Sequence, residues 1–363
     1  MKRQELEGKG IQLLLVENIL AVFSESPLQT VSSAFHNGGG IKPAKVILNI
    51  EVPKGYGDLK LHMDPEGLIT DAAKRLKLQG EFVAMITAAC VKNFAVASKR
   101  DGKLGVSVVA TAADDEGNTC DHAETAGEEI RAEVIEKGTI NVIVVIDGNP
   151  TPSTLVSSII TATEAKTAAI TELDIRSVYS GAPATGTITD AIVCAQTGAG
   201  EPILFGGPAS KLGQLVGYCT RKAVREAITK GRECSPFRPL LERLSARQLT
   251  VEKMALELTK VKSIGKNKDE LERTLSVMIG HDPVSASIIL AATKLDEDKE
   301  NGLFPPELGN FRELANRFAE RVTGCSFKKI SLSEEDFGQI DLPLFLKHVL
   351  AGLLIKTDVT NLN

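Results

Sequence analysis

The sequence predicts an α/β unit, a mixed sheet with flanking helices, followed by a smaller all-α unit. Three observations predict it. Short β-branched runs alternate with helical patterns as far as Lys230. One of these runs, Thr139–Ile146, is apolar at nearly every position, as in a strand buried on both faces, and it feeds directly into a capped helix. Past the Gly- and Pro-punctuated break Gly231–Pro239, only helical periodicities recur, apart from a short stretch at Phe327–Ile330. The expected units are residues 1–238 and 239–363.

The strands come first. Ile11–Val16 and Ile19–Phe23 read as a hairpin about Glu17-Asn18, although that turn lacks the expected glycine. Thr30–His36 reads as a third strand ending in Asn37-Gly38-Gly39-Gly40, where glycines permit positive φ and close approach to a ligand, and Lys45–Val52 reads as a fourth. Leu68–Leu78 and Glu81–Ser98 carry helical spacing, Leu104–Ala110 returns to strand, and the acidic Thr111–Glu124 reads as an exposed loop. The central run then stops at Asp147-Gly148-Asn149-Pro150, a turn cluster, and Thr151-Pro152 supplies a hydroxyl cap and a first-turn proline. In the helix that follows, Leu155, Val156, Ile159, Ile160, Ala162, Ala169 and Ile170 are assigned to the sheet side, with Ser157, Glu164, Lys166 and Thr167 largely elsewhere. Thr185–Ala195 reads as a strand, Glu201–Gly207 as β-like, and Leu212–Lys230 as an amphipathic helix capped by Ser210. Helices are expected at Leu249–Val261, Leu271–Ile279, Val284–Leu295, Phe311–Val322 and Leu342–Ile355, the last a core helix interrupted by Lys347 and His348.

Composition narrows the function. The chain has 363 residues, 43% of them hydrophobic, enough for two or three domains with real cores. A net charge of −5, with no basic block or zinc-finger spacing, gives no electrostatic reason to expect nucleic acid. The charged start Met1–Glu7 precedes only a short apolar run, so neither a secretory signal nor a membrane span is read, and a cytoplasmic protein is expected. Cys90, Cys120, Cys194, Cys219, Cys234 and Cys325 are dispersed without a C-x-x-C pair, which suits reduced thiols acting mainly as small hydrophobes. With 4% aromatics and no Trp, a large ring ligand would rest chiefly on aliphatic groups and backbone.

Two acids stand out as candidate general bases or cation ligands. Asp147 ends the central strand, and Asp190 follows Thr185-Gly186-Thr187-Ile188-Thr189; an Asx-turn or cap is the competing reading for both. Asn37 and Asn149 lie in glycine-flanked turns where an amide could stabilise an oxyanion or hold a substrate, and His36 could be a base or a metal ligand. Lys211 sits against the helix dipole at the start of its helix, which substrate contact or simple exposure would explain. HExxH, GxSxG, Walker and dinucleotide motifs are absent, so metal-free and divalent-cation-assisted chemistry both stay open.

Ser32-Ser33-Ala34 with Asn37-Gly38-Gly39, then Gly138–Ile170, then Ser180-Gly181, Ala184-Thr185-Gly186-Thr187 and Thr189-Asp190, and finally Lys211-Leu212-Gly213, together resemble the adenosylcobinamide amidohydrolase family over about residues 10–230. The chain departs from the family pattern at Pro208-Ala209-Ser210 and Gln214, and at Ala113-Asp114-Asp115. The resemblance implies hydrolysis of the amide between a corrin side chain and aminopropanol, giving adenosylcobyric acid for corrinoid salvage, with the corrinoid as substrate rather than cofactor. Such chemistry needs a base, for which Asp147 and Asp190 are the candidates. It also needs oxyanion and substrate contacts, for which Asn37, Gly38, Gly39, Asn149, Thr151, Thr185, Thr187 and Lys211 are the candidates. Residues 248–357 more weakly resemble archaeal α-ribazole-phosphate phosphatases related to phosphatidylglycerophosphatase A, through His281-Asp282-Pro283, Glu313-Leu314 and Leu342–Leu346 before Ala351-Gly352-Leu353. There Arg312 replaces an acid and Lys347-His348 replace an acidic pair, which points to a degenerate domain kept for packing, stability or dimerisation. A homo-oligomer is left open. The alternatives are a bifunctional amidohydrolase and phosphatase, or a corrinoid-binding protein without turnover.

Overall fold

The computed structural model describes residues 2–53, 65–112, 139–177, 180–187, 189–232, 238–261, 264–327 and 337–360. The chain forms two compact units, Met1–Phe237 and Arg238–Asn363.

The first unit is built on a nine-stranded sheet. In chain order its strands are β1 (Lys2–Glu5), β2 (Ile11–Val16), β3 (Ile19–Ser32), β4 (Gly39–Glu51), β5 (Phe82–Thr87), β6 (Ala95–Asp101), β7 (Leu104–Ala112) and β8 (Ile140–Asp147). A two-residue β9 (Asn149–Pro150) precedes the last main strand, β10 (Ala191–Gln196), and pairs in parallel with β11 (Pro202–Ile203). The helices are α1 (Pro65–Arg75), α2 (Pro152–Glu172) and α3 (Lys211–Gly231).

One long strand organises the sheet. Along one edge of β3, residues 19–24 pair with β2 and residues 29–32 pair with β10; along the other edge runs β4, with a register shift between Phe23 and Leu28. Such an irregularity bends a strand, and here the two halves of the sheet face each other across a core that includes Leu13, Val22, Ile47, Met85, Ile143 and Val193. The outer face of one half, with Ala21, Leu48 and Ile50, is covered by Ile69 and Ala72 of α1. The outer face of the other half, with Val106, Val108, Val142 and Val144, is covered by Leu155 and Ala162 of α2 and by Val216 and Ala223 of α3. The unit is therefore layered helix, sheet, sheet, helix pair. β8 is buried on both faces as the sequence predicts: Val142, Val144 and Ile146 face the helices, and Ile143 and Val145 face the opposite sheet. At about 1.5–3 kcal/mol for each fully buried aliphatic side chain, this strand is a major source of cohesion.

β8, α2 and β10 form a parallel crossover. The strands start at one end, and α2 runs back toward it. The predicted caps are present, with Thr154 N–H bonded to Thr151 Oγ1 and Gly213 N–H bonded to Ser210 Oγ at 3.0 Å.

Several expectations are corrected. Ile19–Phe23 and the start of Thr30–His36 are one strand, because the polar Ser24–Pro27 stretch falls at the register shift rather than in a loop. Glu81–Ser98 is not a helix. It holds β5, a 3-10 turn at Val91–Asn93, and the start of β6. A short apolar run such as Phe82–Thr87 fits either period, and pairing with β4 decides it. The β2–β3 turn works without glycine because Glu17 itself takes φ 52°. Thr185–Asp190 is a loop, with strand only from Ala191, and Glu201–Gly207 contains strand only at β11. Val156 and Ile160, assigned to the sheet side of α2, are 49% and 55% exposed, whereas Lys166, assigned elsewhere, is buried. Most of the Thr111–Glu124 loop, Gly138, Ile188, residues 233–237 of the expected boundary, and Lys328–Ile330 lie outside the described residues.

The second unit comprises α4 (Leu240–Ser245), α5 (Val251–Leu258), α6 (Lys268–His281), α7 (Pro283–Glu300), α8 (Phe311–Thr323) and α9 (Leu344–Thr360). Leu271, Leu275, Ile289, Ala319, Phe345 and Leu350 share its core. Asn267 and Glu270 form a capping box on α6, and Gly324 ends α8 at φ 73°. Among the described residues no single helix is long and apolar enough to cross a membrane.

Candidate functional site

The amino-terminal end of the β8/β10 pair gathers a buried polar cluster around Asp190. Its Oδ1 accepts hydrogen bonds from Ile140 N–H at 2.8 Å and from Thr187 Oγ1 at 2.6 Å, and its Oδ2 accepts from Thr187 N–H at 3.1 Å. Lys166, reaching out of the last two turns of α2, forms an ion pair with the same Oδ2; the Lys166 and Asp190 side chains are 7% and 12% exposed. Gly186 makes room for the pair, since a Cβ there would lie 2.5 Å from both Asp190 Oδ2 and Lys166 Nζ. Thr139 and Thr189 hydroxyls meet at 2.7 Å, and Thr167 Oγ1 holds the carbonyl of the exposed Thr185 at 3.1 Å. Thr187 is half-buried. Its hydroxyl and the Asp190 carboxylate are thus held together by groups from three separate stretches of chain.

The same end continues into the Ser32–Gly40 segment. Ile192 N–H donates to Ser33 Oγ at 3.1 Å, and Ser33 N–H donates to Ile192 carbonyl at 3.1 Å, which fixes this segment beside Asp190. Asn37 takes φ 57° and donates through Nδ2 to Phe82 carbonyl at 2.9 Å and to Glu81 Oε2 at 3.3 Å, so its amide shapes the turn. A Cβ on Gly38 would strike the Ala34 carbonyl, and Gly39 has φ 87°, so glycine is required at both. His36 stacks on Phe82, with ring centroids 4.6 Å apart, and its Nδ1 lies 3.3 Å from both carboxylate oxygens of Glu66. Beneath the cluster, between the sheet halves, Asn141 Nδ2 donates to Asn49 Oδ1 and Ile86 carbonyl, both at 2.8 Å, while its Oδ1 accepts from Ala191 N–H at 3.1 Å. Asn49 Nδ2 donates to Thr111 Oγ1 at 2.8 Å. Every polar atom of these two buried amides is partnered, which pins the strand ends that carry Asp190.

Asp147 lies at the other end. Six strand residues separate it from Ile140, and the seven steps span roughly 23 Å at strand rise, so the two acids are not a pair. Asp147 Oδ2 accepts from Arg100 at 2.6 Å and Oδ1 accepts from Thr197 Oγ1 at 3.1 Å. Arg100 also pairs with Glu7, and its pKa is raised above the ordinary value by the Asp147 hydrogen bond first and then by Glu7. Asn149 Nδ2 donates to Gly200 carbonyl at 3.2 Å, and Thr151 caps α2. Lys211 pairs with Asp101 at 2.9 Å, with both side chains 57% exposed. A Cβ on Gly213 would strike the Gly207 carbonyl, so close packing of α3 on the preceding turn explains this glycine.

The candidates named from sequence therefore divide. Asn37, Gly38, Gly39, Thr185, Thr187 and Asp190 share the Asp190 end; Asp147, Asn149, Thr151 and Lys211 belong to the other. Lys166 and Ser33 were not among the candidate site residues. Periodicity places a lysine on a helix face but not the reach of its four-carbon stem, and the one available signal was a lysine inside the family-like Thr161–Ala169 run. Cys194 and Cys219 are buried free thiols as expected, and burial pushes the Cys219 thiol up to about 11. Among the described residues no group of three or more His, Cys, Asp or Glu side chains is placed to hold a metal ion.

Comparison with known proteins bears on this geometry. An uncharacterized protein of Methanocaldococcus jannaschii is 30% identical over 207 residues, 53% of this chain and 79% of that one. Solved structures overlay loosely. A Pyrococcus horikoshii OT3 protein gives a TM-score of 0.32 at 12% identity, covering 62% of this chain and 81% of its own. A Burkholderia sp. beta-aminopeptidase gives 0.32 at 12% identity, covering 62% and 79%. The model of the adenosylcobinamide amidohydrolase family matches residues 5–236, which is the first unit almost from end to end and includes every segment gathered around Asp190. The chain belongs to the adenosylcobinamide amidohydrolase family.

Proposed function

We propose that the protein hydrolyses the aminopropanol amide of adenosylcobinamide to adenosylcobyric acid, and that the reaction runs at the Asp190 end of the first unit. One observation carries the placement: Lys166 of α2 meets Thr187 and Asp190 of the segment before β10, both segments lying within the family match, in a cluster where Thr187 is half-buried beside the carboxylate. Asp190 takes a proton from the attacking water, and hydroxide adds to the amide carbonyl carbon. The Lys166 ammonium offsets negative charge in the tetrahedral intermediate, and Thr187 positions the Asp190 carboxylate. Collapse breaks the C–N bond, and the proton held on Asp190 passes to the leaving amine. Asp147, which is engaged by Arg100 and Thr197, serves the scaffold in this reading.

The test is incubation of the full-length protein with adenosylcobinamide and mass analysis for adenosylcobyric acid and free aminopropanol. Product from the wild type, lost in Asp190→Asn, is the expected result. Ligand that co-purifies unchanged favours a corrinoid-binding protein without turnover. Product formation undiminished in Asp190→Asn removes the site assignment.

For the second unit we propose a structural role. Asp296 spends both oxygens on the N-terminus of α9, accepting from Phe345 N–H at 2.8 Å and Leu346 N–H at 2.9 Å, and Lys347 Nζ donates to Phe337 carbonyl at 2.9 Å. Robust Mg²⁺-dependent phosphate release from α-ribazole phosphate would overturn this and favour the bifunctional reading.

A further inference from the structure

We propose that His36 is the axial ligand for the cobalt of the corrinoid, binding through Nε2 from the face of the ring that bears the scissile amide. This rests on the hydrolase reading of the Asp190 end. Three features of the histidine point to it. Its backbone is fixed to the sheet, with His36 N–H on Ala84 carbonyl at 3.1 Å and Ala84 N–H on His36 carbonyl at 3.2 Å. Its ring is held by the Phe82 stack, and a carboxylate faces Nδ1. A carboxylate on one ring nitrogen sets the tautomer that leaves the other nitrogen's lone pair available, the arrangement that metal-ligating histidines use. Nε2 has no hydrogen-bond partner among the described residues.

The surroundings suit a broad ring. Phe35 and Ile41 are 58% and 41% exposed, and a Cβ at Gly39 or Gly40 would meet nothing within 4 Å. These two exposed apolar side chains flank His36 in the sequence, and exposed apolar groups are commonly covered by a ligand. Distance along the chain also fits. From Ser33, which is bonded to Ile192 next to Asp190, the backbone reaches His36 in three residues, at most roughly 10 Å. In a cobinamide the aminopropanol arm hangs from the ring edge on the lower face while cobalt lies at the centre. A site that cleaves the arm must approach that face. There the axial position is held by water, since the nucleotide base is missing and the adenosyl group occupies the opposite side. Binding exchanges that water for imidazole, making one Co–N bond and releasing one water with no change in oxidation state.

The experiment mixes full-length protein with cob(II)inamide, confirms co-elution by gel filtration, and records the electron paramagnetic resonance spectrum in frozen solution. An imidazole nitrogen on the axis splits each high-field cobalt line into three. Protein labelled with ¹⁵N-histidine gives two instead, a readout that needs no variant to fold. In His36→Ala the cobinamide still co-elutes and the splitting is lost. Co-elution with unsplit lines in the wild type, or splitting that survives in His36→Ala, overturns the proposal while leaving the hydrolase reading intact. Failure of cobinamide to co-elute at all overturns the proposal, while the product assay above decides the hydrolase reading by itself.

Discussion

Replacing Lys166 by Met removes the ammonium and keeps most of the stem, so it isolates the charge of a pair that is 7% and 12% exposed. Breaking a buried pair by deleting one partner costs about 3–5 kcal/mol, because the surviving charge is left without its counter-ion. Asp190 retains hydrogen bonds from Ile140 N–H, Thr187 N–H and Thr187 Oγ1, which places the expected loss near the lower bound, about 3 kcal/mol. The chain offers a selective probe. It has no Trp, and its three tyrosines, Tyr56, Tyr179 and Tyr218, all fall in the first unit, so tyrosine emission during urea unfolding reports that unit alone. With an m-value of about 2 kcal/mol/M, the midpoint should fall by roughly 1.5 M at unchanged slope. The double variant Lys166→Met/Asp190→Asn should recover at least half of that loss, since no buried charge remains. A midpoint lowered by less than about 0.3 M in the single variant would refute the view that a buried pair holds this end together. In the proposed mechanism the same variant, assayed while folded, loses on the order of a hundredfold in kcat.

Asp147→Asn should leave hydrolysis within about threefold of wild type while lowering the urea midpoint, because it weakens the hold on Arg100 at the far end of β8; a loss beyond about a hundredfold would return Asp147 to the catalytic machinery. Gly186→Ala should reduce kcat by at least tenfold without a large rise in KM, because its methyl group would push Lys166 from Asp190; unaltered kcat would show that the pair is not needed for turnover. In the second unit burial raises Asp296 to about 6 and lowers His348 to about 4. The Asp296 contribution is fully present below its unfolded pKa near 4 and is lost as pH rises through about 6, whereas the His348 contribution is present above about 6.5 and is lost as pH falls through about 4. Each is worth on the order of 3 kcal/mol, so the two slopes nearly cancel, and His348→Gln should unmask a stability that falls as pH rises from 4 to 6. Circular dichroism melts at stepped pH read this out, and a rising or flat profile in that variant would contradict it.

The central crossover was legible because its signals are local. An apolar run of eight residues, a turn cluster, a threonine cap and a proline at the first helical position leave one reading for Thr139–Ile170, and the structure follows it. The Phe82–Thr87 strand was not legible, because five apolar residues in a row carry no period that separates strand from helix and its neighbour β4 lies more than thirty residues earlier. The long β3 was cut in two for a related reason. Ser24–Pro27 has loop chemistry, and only partners on both edges show that the strand runs through it. At the site, residue types were legible and distances were not. Asp147 and Asp190 look equivalent as acids bordering apolar runs, and only the partner 47 residues before one and 24 before the other tells them apart.

Strand direction explains why the two acids have different prospects. In open parallel sheets ligands usually collect beyond the carboxyl ends of the strands, which made the Asp147 corner the natural expectation. Here that corner is filled from within the chain. Arg100 and Thr197 take the carboxylate, Gly198 N–H bonds Gly148 carbonyl at 2.9 Å, and the β9–β11 pair covers the turn. The amino end differs because α2 returns toward it. A lysine in the last two turns of that helix, the loop before β10, and the bulge-bent β3 all converge there, while Thr187 stays partly open. Both carboxylates are paired within the chain, Asp147 with Arg100 and Asp190 with Lys166, and in the proposed mechanism it is Asp190, beside the half-buried Thr187, that exchanges a proton with water. On that basis the loss of product in Asp190→Asn, set against its survival in Asp147→Asn, is the comparison on which the functional reading turns.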